Sequence, residues 1–207
     1  MHKQEKAHET VQETAKTGIV RTLVLGGARS GKSTYAEKLA EATEREVIYI
    51  ATAAAGDSHT DSEMQARIAL HKAQRPAQWR TVEQPLMLGA AIVEWSAPDR
   101  VLLIDCLTVW CSNLLFSEEQ NYPEIGAIVP PELFYQQRVA FLQALTESRG
   151  DVILVSNEVG MGIVPQGAIS RWFVDEAGRL NQAVAANCER AVFIAAGLPL
   201  MLKNTVC

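Results

Sequence analysis

Short apolar runs alternate with amphipathic stretches along most of the chain, and the two periods predict strands and helices in turn. Ile19–Leu25 is mostly aliphatic and short, which predicts a buried strand. Lys32–Ala42 follows, with Tyr35, Ala36, Leu39 and Ala40 at helical spacing along one side. Val47–Ala51 predicts a second strand. Thr60 and Glu63 form a capping box that opens a helix running to about Lys72, and Pro76 must stop it. Trp79–Val82 predicts a short strand, Leu86–Trp95 a helix, Val101–Ile104 an apolar strand and Leu107–Phe116 a helix. Ser117–Pro131 carries three prolines and reads as a loop. Glu132–Arg149 then predicts a helix, Val152–Ser156 a strand, Ile169–Ala186 a helix and Ala191–Ala196 a last strand.

Apolar strands without polar alternation, separated by helices, imply a mostly parallel sheet covered on both faces. The expected fold is therefore α/β with three layers. Ligands of such sheets bind beyond the carboxyl ends of the strands. Chemistry should follow each strand.

Composition narrows the partners. Of 207 residues, 48% are hydrophobic and 21% charged, enough to bury a core and too ordered a balance for wholesale disorder. No Gly- or Ser-rich linker divides the chain, so residues 19–207 are expected to form a single catalytic domain. Residues 1–18 mix Lys3, Lys6 and Lys16 with Glu5, Glu9 and Glu13, which predicts a solvated polar tail rather than a signal peptide. The net charge of −5 argues against a nucleic-acid partner held by a basic surface. Four cysteines without a CxxC pair suggest reduced thiols and a cytoplasmic setting, and the spacing of Cys106 and Cys111 does not suit zinc. Ala191–Leu202 is the longest apolar stretch, but Gly197 and Pro199 interrupt it, so no membrane span is expected.

After the first strand comes Gly26-Gly27-Ala28-Arg29-Ser30-Gly31-Lys32-Ser33, a full G-x-x-x-x-G-K-[ST] phosphate loop between a strand and a helix. Its glycines let successive N–H groups converge on one anion, and the helix start adds partial positive charge. Lys32 supplies a cation for the β- and γ-phosphates, while Ser33 offers a hydroxyl to Mg²⁺. A second metal ligand should end a neighbouring strand, and Val101–Asp105 provides it in Asp105.

Among four histidines, His2, His8 and His59 fall in polar segments. His71 shares a helical face with Met64, Arg67 and Ile68, and on spacing alone it is plainly read as a partly buried core residue. Its cationic company of Arg67, Lys72 and Arg75 points the other way. Those charges disfavour imidazolium and suit a polyphosphate, leaving a neutral nucleophile for phosphoryl or nucleotidyl transfer. Ser156-Asn157-Glu158-Val159-Gly160-Met161-Gly162 follows a strand and reads as a substrate-facing loop.

These segments together resemble one family. GGARSGKS, Ile50-Ala51-Thr52, the run from Arg67 to Glu83 (R-I-x-x-H-K-x-x-R-P-x-x-W-x-T-x-E), Asp105-Cys106-Leu107-Thr108, SNEVGMGIVP from Ser156 and GRLNQ from Gly178 are similar to the bifunctional adenosylcobinamide kinase/adenosylcobinamide-phosphate guanylyltransferases. The resemblance spans about residues 21–203 and implies a RecA-like P-loop NTPase sheet, a homotrimer and two reactions in cobalamin nucleotide-loop assembly. ATP or GTP would phosphorylate adenosylcobinamide. GTP would then guanylylate His71, and the GMP would pass to adenosylcobinamide phosphate. The resemblance places Gly26 to Ser33, Ala51, Thr52, Ala53, Lys72, Ala73, Gln74, Arg75, Glu83 and Asp105 at the nucleotides, with Ser33 and Asp105 at Mg²⁺. The loops after Glu158 and around Ser117–Pro131 are candidates for the corrinoid. Two departures stand out: the N-terminal extension, and Ala73-Gln74 where some relatives carry glycine. A small-metabolite kinase without guanylyltransferase activity, or a non-enzymatic nucleotide switch, would also use the phosphate loop but would leave His71 idle.

Overall fold

The computed structural model describes residues 18–53 and 75–205. The polar tail, the helix expected from Thr60, and His59, His71, Lys72, Ala73 and Gln74 lie outside the described residues. Within them the elements are β1 (Arg21–Gly26), α1 (Lys32–Glu41), β2 (Glu46–Ala51), β3 (Arg80–Glu83), α2 (Leu88–Trp95), β4 (Arg100–Asp105), α3 (Leu107–Leu115), α4 (Glu132–Thr146), β5 (Asp151–Asn157), α5 (Ala168–Ala186), β6 (Arg190–Ala195) and β7 (Leu198–Asn204).

One seven-stranded sheet runs β3-β2-β4-β5-β1-β6-β7. Every pair is parallel except β6 with β7. Side-chain alternation divides its core into two layers. Leu23, Ile48, Leu102, Ile104 and Leu154 face α2, α3, α4 and α5, where Trp110, Phe141 and Leu180 fill the layer. Val24, Tyr49, Leu103, Val155 and Ile194 face the other way, onto Ala36 and Ala40 of α1. Strands buried on both faces need no polar alternation, which is why their sequences read as continuous apolar runs. The fold is the expected three-layer α/β arrangement.

Two expectations are corrected. Ala191–Ala196 is not the last strand, because the chain reverses at Ala196 and Gly197 and returns as antiparallel β7. Both turn residues have positive φ, 52° and 78°, the geometry of a two-residue hairpin turn whose twist matches the strands. Alanine at the first position hides that turn from a motif search. Second, the strand ending in Asp105 is not adjacent to the strand carrying the phosphate loop. β5 lies between β1 and β4. A parallel strand inserted there keeps both carboxyl ends on one edge while widening the gap between loop and acid.

Candidate functional site

The phosphate loop begins where β1 ends. A Cβ on Gly26 would stand 2.5 Å from Ser30 Oγ and 2.6 Å from the Ile194 carbonyl oxygen, so only glycine lets the loop fold back against β6. Gly31 has φ 94° at the N-cap of α1, a left-handed conformation natural to glycine. The loop is pinned from outside as well. Gly197 in the β6–β7 turn donates its N–H to Ser30 O at 2.8 Å, and Glu158 donates its N–H to Gly26 O at 3.1 Å. The hairpin missing from the sequence-based prediction therefore buttresses the phosphate loop.

Lys32 opens α1 and is buried, with Nζ donating to Gly27 O at 3.1 Å. Burial lowers its pKa, and the neighbouring Cys106 and Asp105 only partly offset that. A dehydrated ammonium beside exposed loop amides has unmet demand for an anion. Ser33 stands one residue further along α1, and Ala28 and Arg29 are exposed at the tip of the loop.

Asp105 ends β4, level with Ala51 of β2 and Val155 of β5. Tyr49, almost fully buried, donates its hydroxyl to Asp105 Oδ2 at 3.1 Å. The Arg75 guanidinium lies over the ring of that phenol, 3.6 Å from its centroid. Burial first, then the Asp105 charge, raises the Tyr49 pKa, so the hydroxyl remains a donor throughout the working range. Glu37, one turn along α1 from Ser33, has its pKa raised by burial and by Asp105, with Arg75 opposing.

Three buried donor atoms at this edge have no partner among the described residues: Ser30 Oγ, Arg75 Nε and Arg75 Nη1. Buried donors are normally paired in folded proteins; Ser30 Oγ lies in the loop against Gly26, whereas the Arg75 atoms lie over Tyr49 of β2, whose hydroxyl reaches Asp105. Acceptor oxygens of an anion would satisfy such donors at either place. A divalent cation also has suitable ligands in the Ser33 hydroxyl and the Asp105 carboxylate, both hard oxygen donors. Among the described residues no group of three or more His, Cys, Asp or Glu side chains could hold a metal by itself. Two protein oxygens with phosphate oxygens completing the shell is how Mg²⁺ is usually bound.

The remaining expected residues divide. Ala51, Thr52 and Ala53 follow β2 at the same edge, and Glu83 ends β3 beside Ala51. The Thr52 hydroxyl, however, is committed to the neighbouring strand end: it accepts the Cys106 N–H at 2.8 Å and donates to Cys106 O at 2.9 Å. It braces the turn after Asp105. Asn113 of α3 adds to this brace, donating Nδ2 to Thr52 O at 2.8 Å and to Pro85 O at 3.1 Å. Tyr49 and Glu37 belong to no motif, and sequence reasoning missed both. The loops at 117–131 and 158–167 meet where Ala168 donates its N–H to Glu124 O at 3.0 Å, and they expose Ile125, Val129, Met161, Ile163 and Val164.

No described helix is long and apolar enough to cross a membrane. The family model of cobinamide kinase/cobinamide phosphate guanyltransferase matches residues 22–202. The bifunctional adenosylcobalamin biosynthesis protein CobP of Pseudomonas aeruginosa is 50% identical over 185 residues, covering 89% of this chain and 98% of the relative. The corresponding protein CobU of Salmonella typhimurium is 41% identical over 183 residues, covering 87% and 98%. Among solved structures, the flagellar accessory protein FlaH of Methanocaldococcus jannaschii is similar at 12% identity and a TM-score of 0.46, covering 90% of this chain and 80% of that one. With the phosphate loop, the acid-bearing strand and nearly the whole length matched, the chain belongs to the cobinamide kinase/cobinamide phosphate guanyltransferase family.

Proposed function

We propose that this chain catalyses both reactions of its family: phosphorylation of adenosylcobinamide by ATP or GTP, and transfer of GMP from GTP to adenosylcobinamide phosphate through a guanylyl-histidine. The observation that carries the proposal is the phosphate loop at the end of β1, with buried Lys32 donating to Gly27 O and Ser30 Oγ without a partner among the described residues, on the same strand-end edge as Asp105.

Lys32 and the loop amides hold the triphosphate and offset charge that builds on its bridging oxygens. The Arg75 guanidinium over Tyr49, with Nε and Nη1 unpartnered among the described residues, is proposed to bind further phosphate oxygens. Mg²⁺, held by Ser33 and Asp105, supplies additional charge neutralisation when bound. In the kinase step the substrate hydroxyl attacks the γ-phosphorus, and the nucleoside diphosphate departs. In the second step His71, deprotonated at one ring nitrogen, attacks the α-phosphorus of GTP and pyrophosphate departs, still neutralised by Lys32. Attack by adenosylcobinamide phosphate on the resulting phosphoramidate gives adenosylcobinamide-GDP and frees the histidine. Lys72, Ala73, Gln74 and Glu83 are proposed to complete the nucleotide contacts, and Ala51 to Ala53 to line them.

The exposed apolar loops at 117–131 and 158–167 are the proposed landing surface for the corrinoid. We further propose one catalytic domain over residues 19–207, a homotrimer, no nucleic-acid partner and a cytoplasmic setting, the last in keeping with the free buried thiols Cys106, Cys111 and Cys188. The test is incubation with Mg²⁺, GTP and adenosylcobinamide, with mass analysis of both corrinoid and protein. A phosphorylated corrinoid, a corrinoid-GDP product and a GMP adduct on His71 are expected. A nucleotide consumed with none of the three products would refute the proposal.

A further inference from the structure

One buried polar atom at this edge is of a kind that a triphosphate cannot satisfy. Asn157 Oδ1 is buried with no hydrogen-bond partner among the described residues. The rest of the residue is tightly held. Its backbone N–H donates to Thr108 Oγ1 at 2.8 Å, and its carbonyl accepts from Asn181 Nδ2 at 3.2 Å. The preceding Ser156 donates its hydroxyl to Asn181 Oδ1 at 2.7 Å. Side chains of α3 and α5 thus fix the backbone of Asn157 while its amide oxygen is left unspent.

Strand alternation locates that oxygen. Ile153 and Val155 of β5 pack in the layer shared with α1, whereas Leu154 packs in the opposite layer. Asn157 continues the α1 side. Val101 and Leu103 of β4 lie in that same layer, so Asp105 continues it too. Because β5 sits between β4 and β1, and Asn157 is level with Gly26, the amide stands between the phosphate loop and Asp105 on the face that carries Lys32.

An orphaned acceptor needs a donor. Phosphate oxygens at neutral pH accept, so the triphosphate that suits Ser30 Oγ and the Arg75 N–H groups does nothing for Asn157 Oδ1. The donor that enters this gap with the reaction is the alcohol of the phosphoryl acceptor. We infer that Asn157 Oδ1 accepts a hydrogen bond from the substrate hydroxyl and aims its lone pair at the γ-phosphorus. The new O–P bond forms, the bond from the γ-phosphorus to the bridging oxygen of the nucleoside diphosphate breaks, and the hydroxyl proton goes to solvent. Asn157 orients the nucleophile and takes no proton. This assignment rests on the kinase half of the proposed function. Guanylylation of His71 involves no attacking hydroxyl, so Asn157 has no part in it.

The experiment compares wild-type protein with Asn157→Leu and Asn157→Ala, using Mg²⁺-GTP with and without adenosylcobinamide. Phosphorylated corrinoid, free phosphate and protein label from α-labelled GTP are measured, along with thermal midpoints. Losing orientation of the nucleophile should cut kcat for phosphoryl transfer about a hundredfold. The fraction of γ-phosphate lost to water should rise, and self-guanylylation should stay near wild type. Leucine matches asparagine in shape and removes the unpaired atom, so Asn157→Leu should melt no lower than wild type. Equal losses in transfer and guanylylation, or a raised Mg²⁺ requirement in both, would assign the oxygen to nucleotide or metal-bound water and overturn the inference. So would unchanged transfer, or lowered midpoints in both variants. Wild-type protein that guanylylates itself but never phosphorylates the corrinoid would overturn the kinase reading and this inference with it.

Discussion

The contact between Tyr49 and Asp105 can be removed one atom at a time. Tyr49→Phe keeps the ring that stacks 3.6 Å from the Arg75 guanidinium and deletes only the hydroxyl that Asp105 Oδ2 accepts at 3.1 Å. A hydrogen bond to a charged group contributes about 1.5–3 kcal/mol, and the phenol's burial favours the upper part of that span. A protein of this size loses roughly 2–4 °C of thermal midpoint per kcal/mol, so a fall of several degrees is expected in the ligand-free state. Removing the donor also frees the carboxylate to rotate away from the position proposed for Mg²⁺. Both reactions should then need more Mg²⁺ for half-maximal rate, with kcat largely restored at saturating Mg²⁺. The assays are calorimetric or fluorescence melting and Mg²⁺ titration of each half-reaction. A midpoint and Mg²⁺ profile both equal to wild type would show that the hydroxyl holds nothing in place.

Other consequences follow from the same geometry. Lys32→Met should abolish triphosphate binding and both reactions while raising the ligand-free melting temperature, because burial already holds the ammonium below its ordinary pKa; guanylyl transfer surviving in this variant would require a second nucleotide site. His71→Ala should lose guanylyl transfer and protein labelling together and keep phosphoryl transfer, as measured with α- and γ-labelled GTP, and labelling that moves elsewhere would remove His71 from the mechanism. Burial holds Cys106 at about 11 and Cys111 and Cys188 at about 12, against an ordinary value of 9.0. In that window the unfolded chain binds fewer protons than the folded one, so stability should fall by up to about 1.4 kcal/mol per pH unit per thiol as pH rises above 9. Melting temperatures flat from pH 8 to roughly pH 10.5, still below the raised thiol values, would contradict this burial.

What could be read from the sequence was local chemistry. The phosphate loop announces itself because eight consecutive residues and two flanks carry the signal, and Asp105 because an apolar run ends in a carboxylate. What could not be read depends on contacts distant along the chain. The β6–β7 hairpin was hidden because Ala196 occupies a left-handed position without the usual Asn or Asp, and Pro199 discouraged a strand; yet Gly197 N–H holds Ser30 in the loop. Thr52 braces the turn after Asp105 through its hydroxyl and Cys106, which lies 54 positions later, a contact that no local motif announces. Tyr49 sits outside any recognised chemical pattern, and Asn157 lies inside the SNEVGMGIVP segment without a chemical signal of its own there; both become informative only when their neighbours are known. Parity along one strand shows which residues share a face with Tyr49, or with Asp105, or with Asn157. The phase between strands is a separate quantity. It is set by registers such as Ala51 level with Asp105 and Gly26 level with Asn157, and a slip of one residue in either would turn those side chains to the opposite layer. Those registers are fixed by the packing of two apolar layers and by braces such as Asn181 on the Asn157 carbonyl. The catalytic edge is therefore specified by the core beneath it as much as by its own motifs.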